Sequence, residues 1–125
     1  MTSLVAKGFA EPDEVREFPR GRIALVDLGG VLAGRGEFQP GWRWSEHVKP
    51  IAGTPSCQAA HTGYVLSGRM RVVTDDGVEG EAGPGDAFHI APGHDAWIVG
   101  DETCVFLDFT GMRGYATGTV DHPTG

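Results

Sequence analysis

The sequence predicts an all-β jelly-roll barrel, and three observations carry that prediction. Strand-like apolar runs recur every eight to twelve residues, the spacing of a sandwich or barrel. The runs are punctuated by Gly, Pro and Asp at turn positions, in a chain with 20 glycines and 8 prolines. Apolar residues at helical spacing are nearly absent, so no helical layer is expected.

The elements follow in order. A polar arm covers residues 1–20, within which Pro12 and the acidic pair Asp13-Glu14 predict one short helical turn reaching Phe18. Arg22 to Leu28, the turn Gly29-Gly30 and Val31 to Phe38 read as a hairpin. Pro40-Gly41 breaks the chain, Trp42 to Val48 reads as a short aromatic strand, and Lys49 to Pro55 reads as a loop. Tyr64 to Leu66, Ser67-Gly68 and Arg69 to Thr74 give strand, turn and strand, with Met70 and Val72 on one face and Arg69 and Arg71 on the other. Asp76-Gly77 predicts a type I′ turn into Val78 to Ala82. Ala87 to Ile90, Ala96 to Val99 and Val105 to Phe109 complete a barrel over residues 21–110, each entered through a Gly- or Pro-bearing turn. Residues 111–125 lack apolar periodicity and are expected to be a tail, mobile or laid over the surface.

Composition bounds the function. A chain of 125 residues with 40% hydrophobic content supports one ordinary core. No apolar run of membrane-spanning length occurs, and the first turns carry acidic residues where a leader would be basic and then apolar, so a cytoplasmic protein is expected. The formal charge of -7 with scattered Lys and Arg offers no stripe for phosphates, which argues against nucleic acid. Two cysteines, Cys57 and Cys104, are too few for a secreted disulfide framework. There is no Gly-rich phosphate cradle, no Cys-x-x-Cys pair and no recognisable nucleophile, base and acid set, so hydrolase and kinase readings fail.

Two stretches between Gly41 and Ala96 resemble the paired motifs of the cupin superfamily. The first motif runs Gly, five residues, His-x-His, a few residues, Glu, six residues, Gly; here Gly41 is followed after five residues by His47, and His61 stands at the glutamate's distance before Gly68. The second runs Gly, five residues, Pro-x-Gly, two residues, His; here it is Gly85-Asp86-Ala87-Phe88-His89-Ile90-Ala91-Pro92-Gly93-His94-Asp95-Ala96. The chain departs from the pattern at Lys49, His61, Ala91 and Ala96, so the full three-His, one-Glu metal set is missing. The Gly93 to Trp97 close is also similar to a cupin branch that often lacks a metal. The resemblance implies a small single-domain cupin, a double-stranded β-helix with a ligand pocket in its mouth.

Carried onto this chain, the resemblance points His47 and His61 into the barrel mouth as ligands of a divalent ion such as Zn, Fe, Mn or Ni. His94, two residues before the missing histidine, is favoured as the third ligand through an alternate turn after Pro92-Gly93. The competing reading makes them pocket histidines that bond a ligand or a neighbour. Cys57 invites a ligand or nucleophile role, yet four residues of extended chain separate it from His61 by about 13 Å unless the chain turns between them. With His47 facing inward, strand parity places Arg43 and Lys49 beside it as counter-charges for an acidic ligand, and turns Trp42 and Trp44 outward toward a sheet or subunit contact. His89 and Trp97 are further pocket candidates, Cys104 reads as a buried small hydrophobe, and His122 as a solvated tail residue. Asp86 and Asp95 follow turn residues and are expected to cap backbone N–H groups. The exposed edges of an open sandwich and the aromatic pair predict a homodimer. Two functions remain: a metal-dependent oxygenase or isomerase acting on a small molecule, or a metal-free sensor or binding module using the same cavity.

Overall fold

The computed structural model describes residues 3–116. Nine strands form it: β1 (Glu14–Phe18), β2 (Gly21–Asp27), β3 (Leu32–Phe38), β4 (His61–Ser67), β5 (Met70–Thr74), β6 (Glu79–Ala82), β7 (Ala87–Ile90), β8 (His94–Ile98) and β9 (Cys104–Asp108). Two short helices, α1 (Trp44–His47) and α2 (Lys49–Ala52), interrupt them after β3. A six-stranded sheet runs β1-β2-β3-β9-β4-β7 and a three-stranded sheet runs β6-β5-β8. All pairings are antiparallel. This is the predicted jelly-roll architecture.

The core follows from strand alternation. Ile23, Leu25, Val65 and Phe106 of the larger sheet share one buried cluster with Met70, Ala96 and Ile98 of the smaller. Phe38 anchors its aromatic end, with ring centroids 4.2 Å from Trp42 and 4.9 Å from Phe106. On β5 the parity holds: Met70 is buried, whereas Arg71 points outward to pair with Glu79 and Glu81 of β6. Close strand contact also explains Gly63, where a Cβ would stand 1.8 Å from the Leu107 carbonyl oxygen.

Four local expectations are corrected. Residues 14–18 form strand β1, not a helical turn, because pairing with β2 from Glu14↔Leu25 to Phe18↔Gly21 satisfies a backbone that an isolated turn would leave open. The segment read as an aromatic strand is helical from Trp44 to His47, with Trp44 and Val48 one turn apart and both buried. Residues 49–52, read as loop, form α2, entered by Pro50 and ended by Gly53 at φ 73°. At the β5–β6 turn only Gly77 has positive φ, so the turn is a three-residue loop closed by Thr74 and Val78.

The tail expectation also changes. Beyond β9 the chain turns inward, and Met112 and Tyr115 are buried in the core cluster. Arg16 of β1 holds this segment by donating to the Met112 and Tyr115 carbonyls at 2.5 and 2.8 Å. Trp42 and Trp44 are each only 2% exposed within a single chain, so they need no second subunit for cover. His122 lies outside the described residues.

Candidate metal centre

The site lies where three chain segments meet inside the barrel. Cys57 forms an isolated bridge with His94, its N–H donating to the His94 carbonyl at 2.8 Å while its own carbonyl accepts from Gly93 at 2.7 Å. With Cys57 anchored there, its Sγ comes 3.5 Å from His61 Nε2. The two side chains are therefore close enough to share one ion, an outcome the extended-chain spacing alone did not lead one to expect. Cys57, His61 and His94 are all buried, and their ligand atoms lie within 4.8 Å of one another.

Each imidazole is oriented by its other nitrogen. His61 Nδ1 stands 2.5 Å from Asp108 Oδ2, and the second oxygen of Asp108 accepts the N–H groups of Thr110 and Gly111. His94 Nδ1 lies 2.8 Å from the Ala91 carbonyl oxygen, an acceptor only, so Nδ1 donates there and Nε2 is the ring nitrogen left for other partners. This is the arrangement by which histidines are fixed for ligation, with carboxylate and carbonyl behind the rings.

Charge follows the geometry. Burial pushes the Cys57 thiol up, but hydrogen bonds and charge from His61 and His94 prevail and bring it down to about 6. Burial works against the His61 imidazolium too, yet the bonds to Asp108 and Cys57 outweigh it and hold the ring up at about 10. The two shifts run in opposite directions and favour a thiolate at Cys57 beside an imidazolium at His61, in a buried row with Asp108. Burial and the Cys57 and Asp108 charges raise the Tyr115 phenol well above its ordinary value.

The row opens onto a cavity walled by Phe38, Trp42, Trp44, Phe106, Met112 and Tyr115. It offers about 30 Å³ to the centres of water-sized atoms, roughly the room for two waters. The Tyr115 ring meets His61 edge-on at 5.5 Å, which places the inturned segment over the site.

The other sequence candidates lie elsewhere. His47 sits on α1 with its Nδ1 accepting the Arg43 backbone N–H at 3.0 Å, apart from the cluster, because the helix sends Trp44 and Val48 inward in its place. Arg43 stacks over Trp97 at 4.3 Å and reaches Asp95 at 3.4 Å, outside the cavity lining. Lys49 is exposed at the start of α2. His89 is exposed and bonds Thr62, while its neighbours Phe88 and Ile90 line the cavity. Asp86 and Asp95 do cap backbone N–H groups, those of Gly83 and Ser45. Cys104 is fully buried beside the core, and burial with the Glu102 charge raises its thiol to about 11. Asp108 is the residue missed, and Cys57, weighed as a ligand from the sequence, is set aside there for its extended-chain distance from His61. Counting back from Gly68 instead of forward from Gly41 would have found Cys57, since it stands a few residues before His61 where the His-x-His falls.

A nine-stranded jelly roll with ligand-type side chains gathered in its interior defines a cupin-like protein. The chain belongs to the cupin family: residues 34–110 match the cupin domain family Cupin_2. The fold is similar to the polyketide cyclase RemF from Streptomyces resistomycificus, with TM-score 0.61, 18% identity, and 97% of this chain and 89% of that one covered. It is also similar to KdgF from a Halomonas species (TM-score 0.55, 24% identity, 76% and 83% covered). A third likeness is to a cupin-superfamily sugar phosphate isomerase from Silicibacter pomeroyi (TM-score 0.53, 20% identity, 76% and 61% covered). No curated protein matches the sequence. At these identities the likenesses establish the fold alone. Among the described residues no helix is long and apolar enough to cross a membrane.

Proposed function

We propose that this cupin binds one divalent metal ion through Cys57, His61 and His94 and uses it on a small molecule held in the adjoining cavity. The observation that carries the reading is the donor cluster itself: one thiol and two imidazoles, buried and mutually close. Ligands on one tetrahedral ion stand about 3.5 Å apart at ordinary Zn–N and Zn–S lengths, and Cys57 Sγ and His61 Nε2 are already 3.5 Å apart. The mixed sulfur and nitrogen set suits zinc, iron or copper better than magnesium or calcium.

The chain's own residues have distinct tasks in this reading. Asp108 keeps the proton of His61 on Nδ1, and the Ala91 carbonyl does the same for His94. Both rings then present Nε2 lone pairs inward, and the His61 Nε2 proton of the ion-free row must leave before ligation. The aromatic wall leaves room for few waters beside the site. When bound, the ion would supply Lewis acidity or an open coordination position, the chemistry of an isomerase or an oxygenase. RemF and the Silicibacter protein are described as a cyclase and an isomerase, which accords with small-molecule chemistry on this fold.

One observation favours a metal-free binding module: the Cys57, His61 and Asp108 charges satisfy one another without any ion. Elemental analysis of protein purified without chelator or a His-tag column separates the two. About one ion per chain is expected, lost in Cys57→Ser and retained in His47→Ala. Substoichiometric content, or content indifferent to Cys57→Ser, rejects the metal reading.

A further inference from the structure

Within the buried interior, two hydrogen-bond donors have no partner: the indole Nε1 groups of Trp42 and Trp44. They are the unpaired buried side-chain polar atoms among the described residues, and the rings that carry them line the same cavity as His61 and His94. Buried N–H groups are almost always bonded, because leaving one bare forfeits its hydration without return. Two bare donors on rings that line one cavity point to an acceptor supplied by a ligand.

The backbone fixes both rings. The Trp42 N–H donates to Gln39, its carbonyl accepts from Ile98 of β8 at 3.1 Å, and Trp44 opens α1 with the next residue's N–H held by Asp95. Both rings are packed to 2% exposure, so neither indole is free to swing toward another acceptor. The surrounding wall is apolar: Phe38, Met70, Ile90, Ala96 and Phe106 offer contact area and no competing acceptor. Asp108 is already occupied by His61, Thr110 and Gly111.

We propose that Trp42 and Trp44 are binding residues for an oxygen-acceptor ligand, a compact carboxylate or carbonyl compound whose apolar body fills the remainder of the cavity. The inference rests on reading this cavity as the ligand site and names the ligand class for it. It does not require the ion. The available room of about 30 Å³ to atom centres suits a molecule of few heavy atoms; anything longer must displace Met112 or Tyr115, the two side chains that close the cavity from the C-terminal side.

The test uses acetate and propionate as probes on the intact chain, read by the three indole N–H resonances in nitrogen-15 NMR spectra. Trp42 and Trp44 should move downfield and saturate, while Trp97, which lies outside the cavity lining, should not. Trp42→Phe and Trp44→Phe keep an aromatic ring at each position and remove the donor; each should weaken binding about tenfold, the effect of losing one hydrogen bond to a charged acceptor, with metal content unchanged. Cys57→Ser separates this proposal from the metal reading, since indole shifts that persist there sustain the ligand class whatever the metal analysis returns. Indole resonances unmoved at tens of millimolar probe, or shifts carried equally by Trp97, overturn the inference. So does binding that survives both Phe variants at parental affinity. Should a variant fail to fold, the parent's indole shifts decide alone.

Discussion

Asp108 is the residue on which the chemistry of the site turns. Its two oxygens divide their work, one aligning His61 and the other gathering the turn after β9. Asp108→Asn keeps the shape and one acceptor but can place an amide N–H toward His61 Nδ1. The ring then carries its proton on Nε2, and the lone pair no longer faces Cys57. Ion affinity should fall about 10- to 100-fold, the usual cost of losing a carboxylate behind a ligating histidine. The ion-free thiolate gives a second readout through its ultraviolet absorbance. In the parent, absorbance should fall as pH drops through about 6; in Asp108→Asn the midpoint should move up toward the ordinary thiol value of 9.0 as the His61 charge is lost. A midpoint unchanged by the substitution would separate Asp108 from the thiolate. Stability has its own sign. The lowered Cys57 pKa contributes stability above 9.0 that is lost as pH falls through about 6, and the raised His61 pKa contributes stability below 6.5 that is lost as pH rises through about 10. Between 6.5 and 9.0 the slopes cancel, because folding then merely transfers a proton from thiol to imidazole.

At the scale of elements, the turn after β9 couples the site to the closing segment. A Cβ at Gly111 would stand 2.1 Å from His61 Nδ1 and 2.7 Å from the Ala60 carbonyl, so Gly111→Ala must push either the ring off Asp108 or the segment out of the cavity. It should cost about 1–3 kcal/mol of stability and weaken ion binding, whereas Gly80→Ala, which meets nothing within 4 Å, should stay within about 0.5 kcal/mol. Denaturant melts with elemental analysis check both, and equal effects at the two glycines would remove the steric argument. The same scale shows what the sequence disclosed. The strands from β2 to β9 were legible because Gly and Pro turns bound each run, and Pro92-Gly93 delivers His94 directly. α1 was not, since Trp42 and Trp44 at alternate positions mimic a strand and only burial of Val48 one turn later decides for helix. That error moved His47 inward and the tryptophans outward, the reverse of their places. β1 was hidden because Pro12 and Asp13-Glu14 mimic a helix start although the segment pairs with its neighbour β2, and the inturned C-terminal residues because their partner is distant in sequence, Arg16 reaching Met112 and Tyr115. Cys57 and Asp108 meet His61 only through such long-range closure.

For the whole molecule, the barrel and the proposed ion form one thermodynamic unit. Cys57 precedes β4, His61 opens β4, His94 opens β8, and Asp108 ends β9, so the site joins both sheets. Unfolding scatters these donors, and an ion that binds only the folded chain stabilises it by an amount set by mass action. At free ion one hundred times the dissociation constant the gain is about 2.7 kcal/mol, which for a domain of this size raises Tm by roughly 10 °C. The increment should depend on pH in a definite direction. Ligation requires thiolate at Cys57 and loss of the Nε2 proton from His61, so lowering the pH makes protons stronger competitors and shrinks the ion-induced rise. Because His61 holds its proton up to about 10, the rise should keep growing with pH through the neutral range instead of levelling near the ordinary histidine value of 6.5. Differential scanning calorimetry with and without zinc at several pH values, on the parent and on Cys57→Ser, measures this. A zinc-induced rise that is absent in the parent, equal in Cys57→Ser, or flat above pH 6.5 would place the ion elsewhere than on this buried row.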